Sequence, residues 1–163
     1  MTEVRHAMAT WTGDLQTGSG TIDYVSSGAF SRMPVTWASR TTAHSGKTSP
    51  EELLAASHAA CFSMALSSRL AKNGTPATKL TVMAEITFDN PGPGWQVATS
   101  KITVRGDVPG IEGPKFTELA EDAKENCPIS KAVKGNVELI VDATLVEPGQ
   151  AGVMPTRTLE GTS

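Results

Sequence analysis

Cys61 and Cys127 are the two cysteines of a 163-residue chain, and thiol redox chemistry is the first thing such a pair can do. Cys61 lies about 11 residues, or roughly 16 Å, beyond the start of a predicted helix, too deep for the positive end of the helix dipole to help it ionise. Taken alone it reads as a small hydrophobe in a core. Cys127 stands where one predicted helix ends and Pro128 opens another, a place where unpaired N–H groups favour a thiolate; a plain N-cap role is the alternative. A disulfide between the two is either a structural staple or a transient, catalytic bond, and their positions in the chain do not decide which. No Cys-x-x-Cys or paired Cys/His spacing points to zinc.

A nucleophilic thiolate needs a cation, because ionising a thiol against desolvation is costly. Arg40 follows the third predicted strand and precedes the long helix, which makes it the best placed arginine; Arg5 and Arg32 are weaker candidates. Glu51 and Glu52 open that helix, where acidic residues complement the dipole and complete a cap, and one of them can also hold Arg40. His58, three positions before Cys61, shares its helical face. It can act as a base, but a hydrogen-bonded core histidine is the reading adopted.

These residues must be positioned by a larger frame. Ala7 to Thr12, Thr21 to Val25 and Pro34 to Ala38 read as an antiparallel meander broken by Gly and Ser. Ser49-Pro50-Glu51-Glu52 carries an N-cap, Pro at the first helical position and Glu three residues after the Ser. The helix then runs unbroken to Asn73-Gly74, about 23 residues or roughly 35 Å. From Leu53 to Ser68 it contains no Asp, Glu, Lys or Arg, so it is expected to be buried nearly all round, more than a sheet alone can cover.

Leu80 to Phe88 alternates as a half-buried strand, Asn90 to Gly94 turns the chain, and Trp95 to Val108 returns, its polar Thr99-Ser100-Lys101 centre suggesting a bulge. An amphipathic helix from Pro114 to Asn126, a short helical turn from Pro128 to about Lys134 and a last strand from Val137 to Leu145 follow. The order βββ–α–ββ–α–β gives an α+β class with largely antiparallel sheet. One domain spans residues 1–146, and 147–163 form a Pro/Gly-rich C-terminal tail.

Hydrophobic residues make up 39% of the chain and charged residues 19%, with 14 basic against 17 acidic side chains. A real core is expected, and the modest charge hints that part of the surface is covered by another subunit. No basic block is present, so nucleic acid is excluded as an expected partner. The N-terminal residues lack the pattern of a signal peptide and no run is apolar enough to span a bilayer, so a cytoplasmic location and no membrane partner are expected.

The segment from Ser49 to Leu66, SPEELLAASHAACFSMAL, with Asn126-Cys127-Pro128-Ile129-Ser130 downstream and Trp11-x-Gly13-Asp14 near the start, resembles the OsmC/Ohr family of thiol-dependent organic hydroperoxide reductases, and its OsmC branch more than its Ohr branch. The resemblance covers about Trp11 to Leu145. It implies an OsmC-like fold, with sheets packed around a long central helix, in an intertwined homodimer whose active sites lie at the subunit interface. It further implies Cys61 as peroxidatic thiol, Cys127 as resolving thiol, and Arg40 and Glu51 as the catalytic arginine and glutamate. Glu51, not Glu52, has the matching offset from Cys61. The implied reaction reduces organic hydroperoxides, and H2O2 less efficiently, in oxidative or osmotic stress defence. No metal or other cofactor is required, and a dithiol closes the cycle, with a lipoyl-type dithiol among the candidates. Apolar neighbours such as Phe62 and Met64 are expected to favour organic substrates. The competing reading is a non-catalytic dimer that binds a lipid-like ligand and uses its cysteines structurally.

Overall fold

In a computed structural model of the chain, residues 1–42, 45–152 and 154 are described. The chain divides into two units, Met1–Leu54 and Ala55–Ser163.

The first unit is a three-stranded antiparallel meander, β1 (Ala7–Thr12), β2 (Ser19–Val25) and β3 (Ser31–Val35), followed by a short helix α1 (Trp37–Thr41). The β1–β2 turn is tied by the Asp14 carboxylate, which accepts from the Gln16 and Thr17 amides at 2.8 and 2.9 Å and from Thr17 Oγ1 at 2.6 Å. These bonds, led by the Thr17 hydroxyl, hold the Asp14 carboxyl below the usual carboxylate range. Gly18 is required there because a Cβ would run into the Asp14 and Thr12 carbonyls.

Trp37 departs from expectation. The third strand was expected to continue through Ala38, but it stops at Val35 because Thr36 starts a helix. Thr36 Oγ1 accepts from the Ser39 amide and Ser39 Oγ accepts from the Thr36 amide, both at 3.2 Å. This reciprocal cap uses Ser where Glu or Gln is usual, so the pattern in the chain is easy to overlook. Ser39 Oγ also donates to the Thr48 carbonyl at 2.9 Å, tying α1 to the segment before the long helix.

That helix, α2 (Pro50–Lys72), has the expected bounds, with the Ser49 hydroxyl accepting from the Glu52 amide at 3.1 Å. It starts in the first unit and runs on into the second. There Phe62, Leu66 and Leu70 pack with Ile102 and Val104 of the sheet and with Phe116, Ala120 and Ala123 in a fully buried core. Burying a side chain such as Phe62 or Leu66 contributes about 1.5–3 kcal/mol. The expectation of burial all round does not hold for one chain: Ala56, Ser57, Ala60, Met64, Ser67, Ser68 and Ala71 are exposed.

The second sheet is β4 (Lys79–Asp89), β5 (Gln96–Asp107) and β6 (Glu138–Leu145), with β5 in the middle. β4 and β5 are antiparallel, whereas β5 and β6 run parallel. Parallel neighbours need a crossover connection, and α3 (Gly113–Asn126) and α4 (Pro128–Val133) provide it. Gly106 lets this crossover sit close, since a Cβ there would fall 2.7 Å from Cε2 of Phe116. The bulge lies one residue before the expected polar triplet: Thr87 pairs with Thr99 and Phe88 with Val97, leaving Ala98 unpaired.

Past β6, the Gly149 amide donates to Asp107 Oδ2 at 3.1 Å and Ala151 is fully buried. Most of the expected tail, 153 and 155–163, lies outside the described residues. No helix among the described residues is long and apolar enough to cross a membrane.

Candidate active site

In the first unit Arg40 lies in the last turn of α1 and Glu51 stands at the second position of α2. Arg40 Nη2 donates to Glu51 Oε1 at 2.7 Å, and Nε reaches both carboxylate oxygens at 3.2 and 3.3 Å. A planar fork facing a carboxylate fixes orientation as well as charge. The carboxylate is nearly enclosed and the guanidinium is about a quarter exposed, stacked 5.4 Å above the Trp37 ring. Glu52 is exposed and accepts from Thr48 Oγ1 at 3.1 Å. Beside Arg40 opens a cavity of about 320 Å³ walled by Trp11, Leu15, Val35, Thr36, Trp37 and Pro50. It is an apolar pocket with a single charged side chain in its wall.

In the second unit Cys61 and Cys127 meet. Cys127 is fully buried at the joint between α3 and α4: its amide donates to Ala123 O at 2.8 Å and its carbonyl accepts from Lys131 N at 3.0 Å. The two thiols are free, and Cys127 is close enough to act on the ionisation of Cys61. The unpaired amide expected near Cys127 serves the other sulfur, for the Ile129 N–H donates to Cys61. Burial pushes the Cys61 thiol up from its ordinary value and the neighbouring Cys127 adds to this, while the Ile129 amide pulls the other way.

His58, one turn before Cys61, is the core histidine expected. Its Nδ1 is 2.7 Å from Ser100 Oγ and its Nε2 is 2.8 Å from Ser130 Oγ, all three residues being buried. Burial holds the imidazole below its ordinary value, which favours the neutral ring. A neutral ring offers one donor and one acceptor, which two hydroxyls satisfy. This explains the polar centre of β5, where Ser100 serves His58. Neither serine stood out in the chain, because each acquires its partner only through tertiary contact, 42 and 72 positions away from His58.

The structure thus brings Arg40 to Glu51 in one unit and Cys61 to Cys127 in the other. Phe62, expected beside a substrate, is instead wholly within the core. The aromatic side chains Trp11 and Trp37 of the first unit were not anticipated as pocket walls.

A family model described as OsmC-like protein matches residues 43–142. Peroxiredoxin OsmC of Escherichia coli (strain K12) is 36% identical over 141 residues, covering 85% of this chain and 96% of that protein. The organic hydroperoxide resistance protein-like 2 of Staphylococcus epidermidis is 34% identical over 102 residues, covering 60% of this chain and 68% of that one. Among solved structures, an organic hydroperoxide resistance protein from Elizabethkingia anophelis superposes with a TM-score of 0.69 at 24% identity, covering 90% of this chain and 100% of that one. OhrB of Bacillus subtilis superposes with a TM-score of 0.64 at 24% identity, covering 85% and 98%. At those identities the structural likeness establishes the fold. With the family match over most of its length and a 36% identical relative, this chain belongs to the OsmC-like family.

Proposed function

We propose that the chain is a thiol peroxidase that reduces organic hydroperoxides to alcohols. The observation that carries this reading is the apposition of Cys61 and Cys127, brought together from distant parts of the chain and left as free thiols. The named activities of the relatives support it: a peroxiredoxin and an organic hydroperoxide resistance protein-like protein.

The Cys61 thiolate attacks the terminal peroxide oxygen; the O–O bond breaks, an S–O bond forms, and the departing alkoxide takes a proton to leave as alcohol. Cys127 then attacks the Cys61 sulfenic acid, forming the disulfide and releasing water. An external dithiol reopens the bond by exchange through a mixed disulfide and is itself oxidised to its disulfide. Arg40 is the counter-charge for the thiolate and Glu51 its orienting carboxylate. The 2.7 Å Arg40–Glu51 contact supports the second of these roles. The upward push that burial gives Cys61 is the reason a counter-charge is needed.

The working unit in this proposal is a homodimer. In support, the exposed stripe of α2 is uncharged, and Met64 on it is 68% exposed in the single chain. Tight helix pairing suits such small residues. The apolar pocket beside Arg40 favours a substrate with a hydrocarbon tail. Steady-state reduction of cumene hydroperoxide and of H2O2, driven by a dithiol, tests the reading. Higher catalytic efficiency with cumene hydroperoxide, abolished in Cys61→Ser, is expected. Equal or better efficiency with H2O2 overturns the substrate preference. Full activity without Cys61 overturns the enzyme and leaves a binding protein with structural cysteines.

A further inference from the structure

Among the groups that this chemistry does not use, the buried His58–Ser100–Ser130 cluster touches both α2, which carries Cys61, and α4, which follows Cys127. Ser130 belongs to α4, the six-residue helix that begins immediately after Cys127. Ser130 is also the one fully buried residue of α4, whose apolar Ile129 and Val133 are only half-buried. Two polar tethers join it to α2. One is His58 Nε2 to Ser130 Oγ at 2.8 Å, and the other is the Ile129 N–H to the Cys61 sulfur. They use consecutive residues of α4 and residues one turn apart on α2. The other imidazole nitrogen is held from β5 by Ser100 at 2.7 Å, which fixes the plane of the ring.

Forming a disulfide demands a narrow range of separations and angles between the two cysteines. The second tether ends on Cys61 itself, whose sulfur changes during the reaction as it gains an oxygen. The first tether ends on atoms that the reaction leaves untouched.

We propose that the His58–Ser130 hydrogen bond is the clasp that keeps Cys127 within reach of the Cys61 sulfenic acid, making His58 and Ser130 positioning residues for disulfide closure and not for peroxide attack. This inference rests on the peroxidase reading above. The step it governs is balanced: the Cys127 S–H and the Cys61 S–OH become S–S and water.

The experiment is single turnover of the full-length protein with one equivalent of cumene hydroperoxide. Loss of the Cys61 thiol is followed separately from disulfide formation, and dimedone traps any sulfenic acid that persists. Ser130→Ala is expected to oxidise Cys61 at close to the unsubstituted rate, close the disulfide about five- to tenfold more slowly, and accumulate dimedone adduct. Ser100→Ala breaks the other bond of the same imidazole and lowers the thermal midpoint comparably, but closes at close to the normal rate.

If Ser130→Ala does not fold, a pair of variants at His58 makes the same distinction. The amide nitrogen of Asn sits near the place of Nδ1 and keeps only the Ser100 contact, whereas that of Gln sits near the place of Nε2 and keeps the Ser130 contact. His58→Asn is expected to slow closure and His58→Gln to preserve it. Normal closure in Ser130→Ala or His58→Asn, or equal slowing in Ser100→Ala, overturns the clasp and leaves the peroxidase standing. Failure of the unsubstituted protein to lose its Cys61 thiol overturns both.

Discussion

The polar pair beside the first unit's pocket is ionic, whereas the cluster around Cys61 and His58 in the second is built from thiols, an imidazole and hydroxyls. Arg40 and Glu51 meet as an ion pair, with the guanidinium partly open to solvent and stacked on Trp37. In the second unit, burial drives Cys61 upward and His58 downward, and both shifts favour the uncharged form. Cys61 lies against Cys127, and one turn away His58 is held by the Ser100 and Ser130 hydroxyls. On the proposed mechanism the contrast means that proximity and reactivity have separate sources in this chain. The second unit brings the sulfurs together, and the first holds an oriented cation next to an apolar cavity. Desolvation resists ionisation of the half-buried Cys61 thiol, which for the proposed reaction therefore needs help to ionise.

The sharpest way to break this division of labour is to remove the sulfurs singly. Cys61→Ser is expected to reduce dithiol-driven peroxide consumption to background, read as loss of hydroperoxide over time. Cys127→Ser is expected to consume about one equivalent of peroxide per chain and then stall without normal dithiol recycling. Sustained turnover by the second variant would show that the buried thiol resolves nothing.

The charged pair comes next. In the proposed mechanism the thiolate is the nucleophile, so the oxidation rate of Cys61 should climb as pH rises through its pKa. Arg40→Ala should move that climb to higher pH by about one to three units, the span by which a neighbouring opposite charge shifts a group, and cut the rate at neutral pH about tenfold or more. Glu51→Gln leaves the cation present but less firmly oriented, so a smaller loss is expected. A pH–rate profile identical to that of the unsubstituted protein would remove Arg40 from the chemistry.

The smallest effect belongs to the neutral cluster's stability. His58 is held below its ordinary value of 6.5, so below that pH the unfolded chain binds a proton that the folded chain resists. Stability contributed this way is present above the unfolded value and falls as pH drops below it. The thermal midpoint should therefore fall from pH 7 to pH 5, and part of that fall should vanish in His58→Gln. Identical pH dependence in the two proteins would mean that the imidazole is not desolvated on folding.

Much of this frame could be read from the chain, for local reasons. The capped start and Asn73-Gly74 stop of α2 are local signals, and so are the alternating strands. The family resemblance named Cys61, Cys127, Arg40 and Glu51 before their surroundings were visible. What was not legible depends on long-range contact. Thr36 and Ser39 form a cap in an unusual spelling, which misplaced Trp37 in a strand. The parallel pairing of β6 leaves no mark on its alternation. The polar centre of β5 looked like a bulge because its partner, His58, lies on another element. The bare face of α2 shows that an uncharged helix signals something to be covered without saying by what.

The most direct measurement is peptide mapping by mass spectrometry of the protein before and after one equivalent of cumene hydroperoxide. A new Cys61–Cys127 linked peptide, lost again on adding a dithiol, is the predicted result. Two unchanged thiols, or an oxidised Cys61 beside a Cys127 that never joins it, would contradict the account.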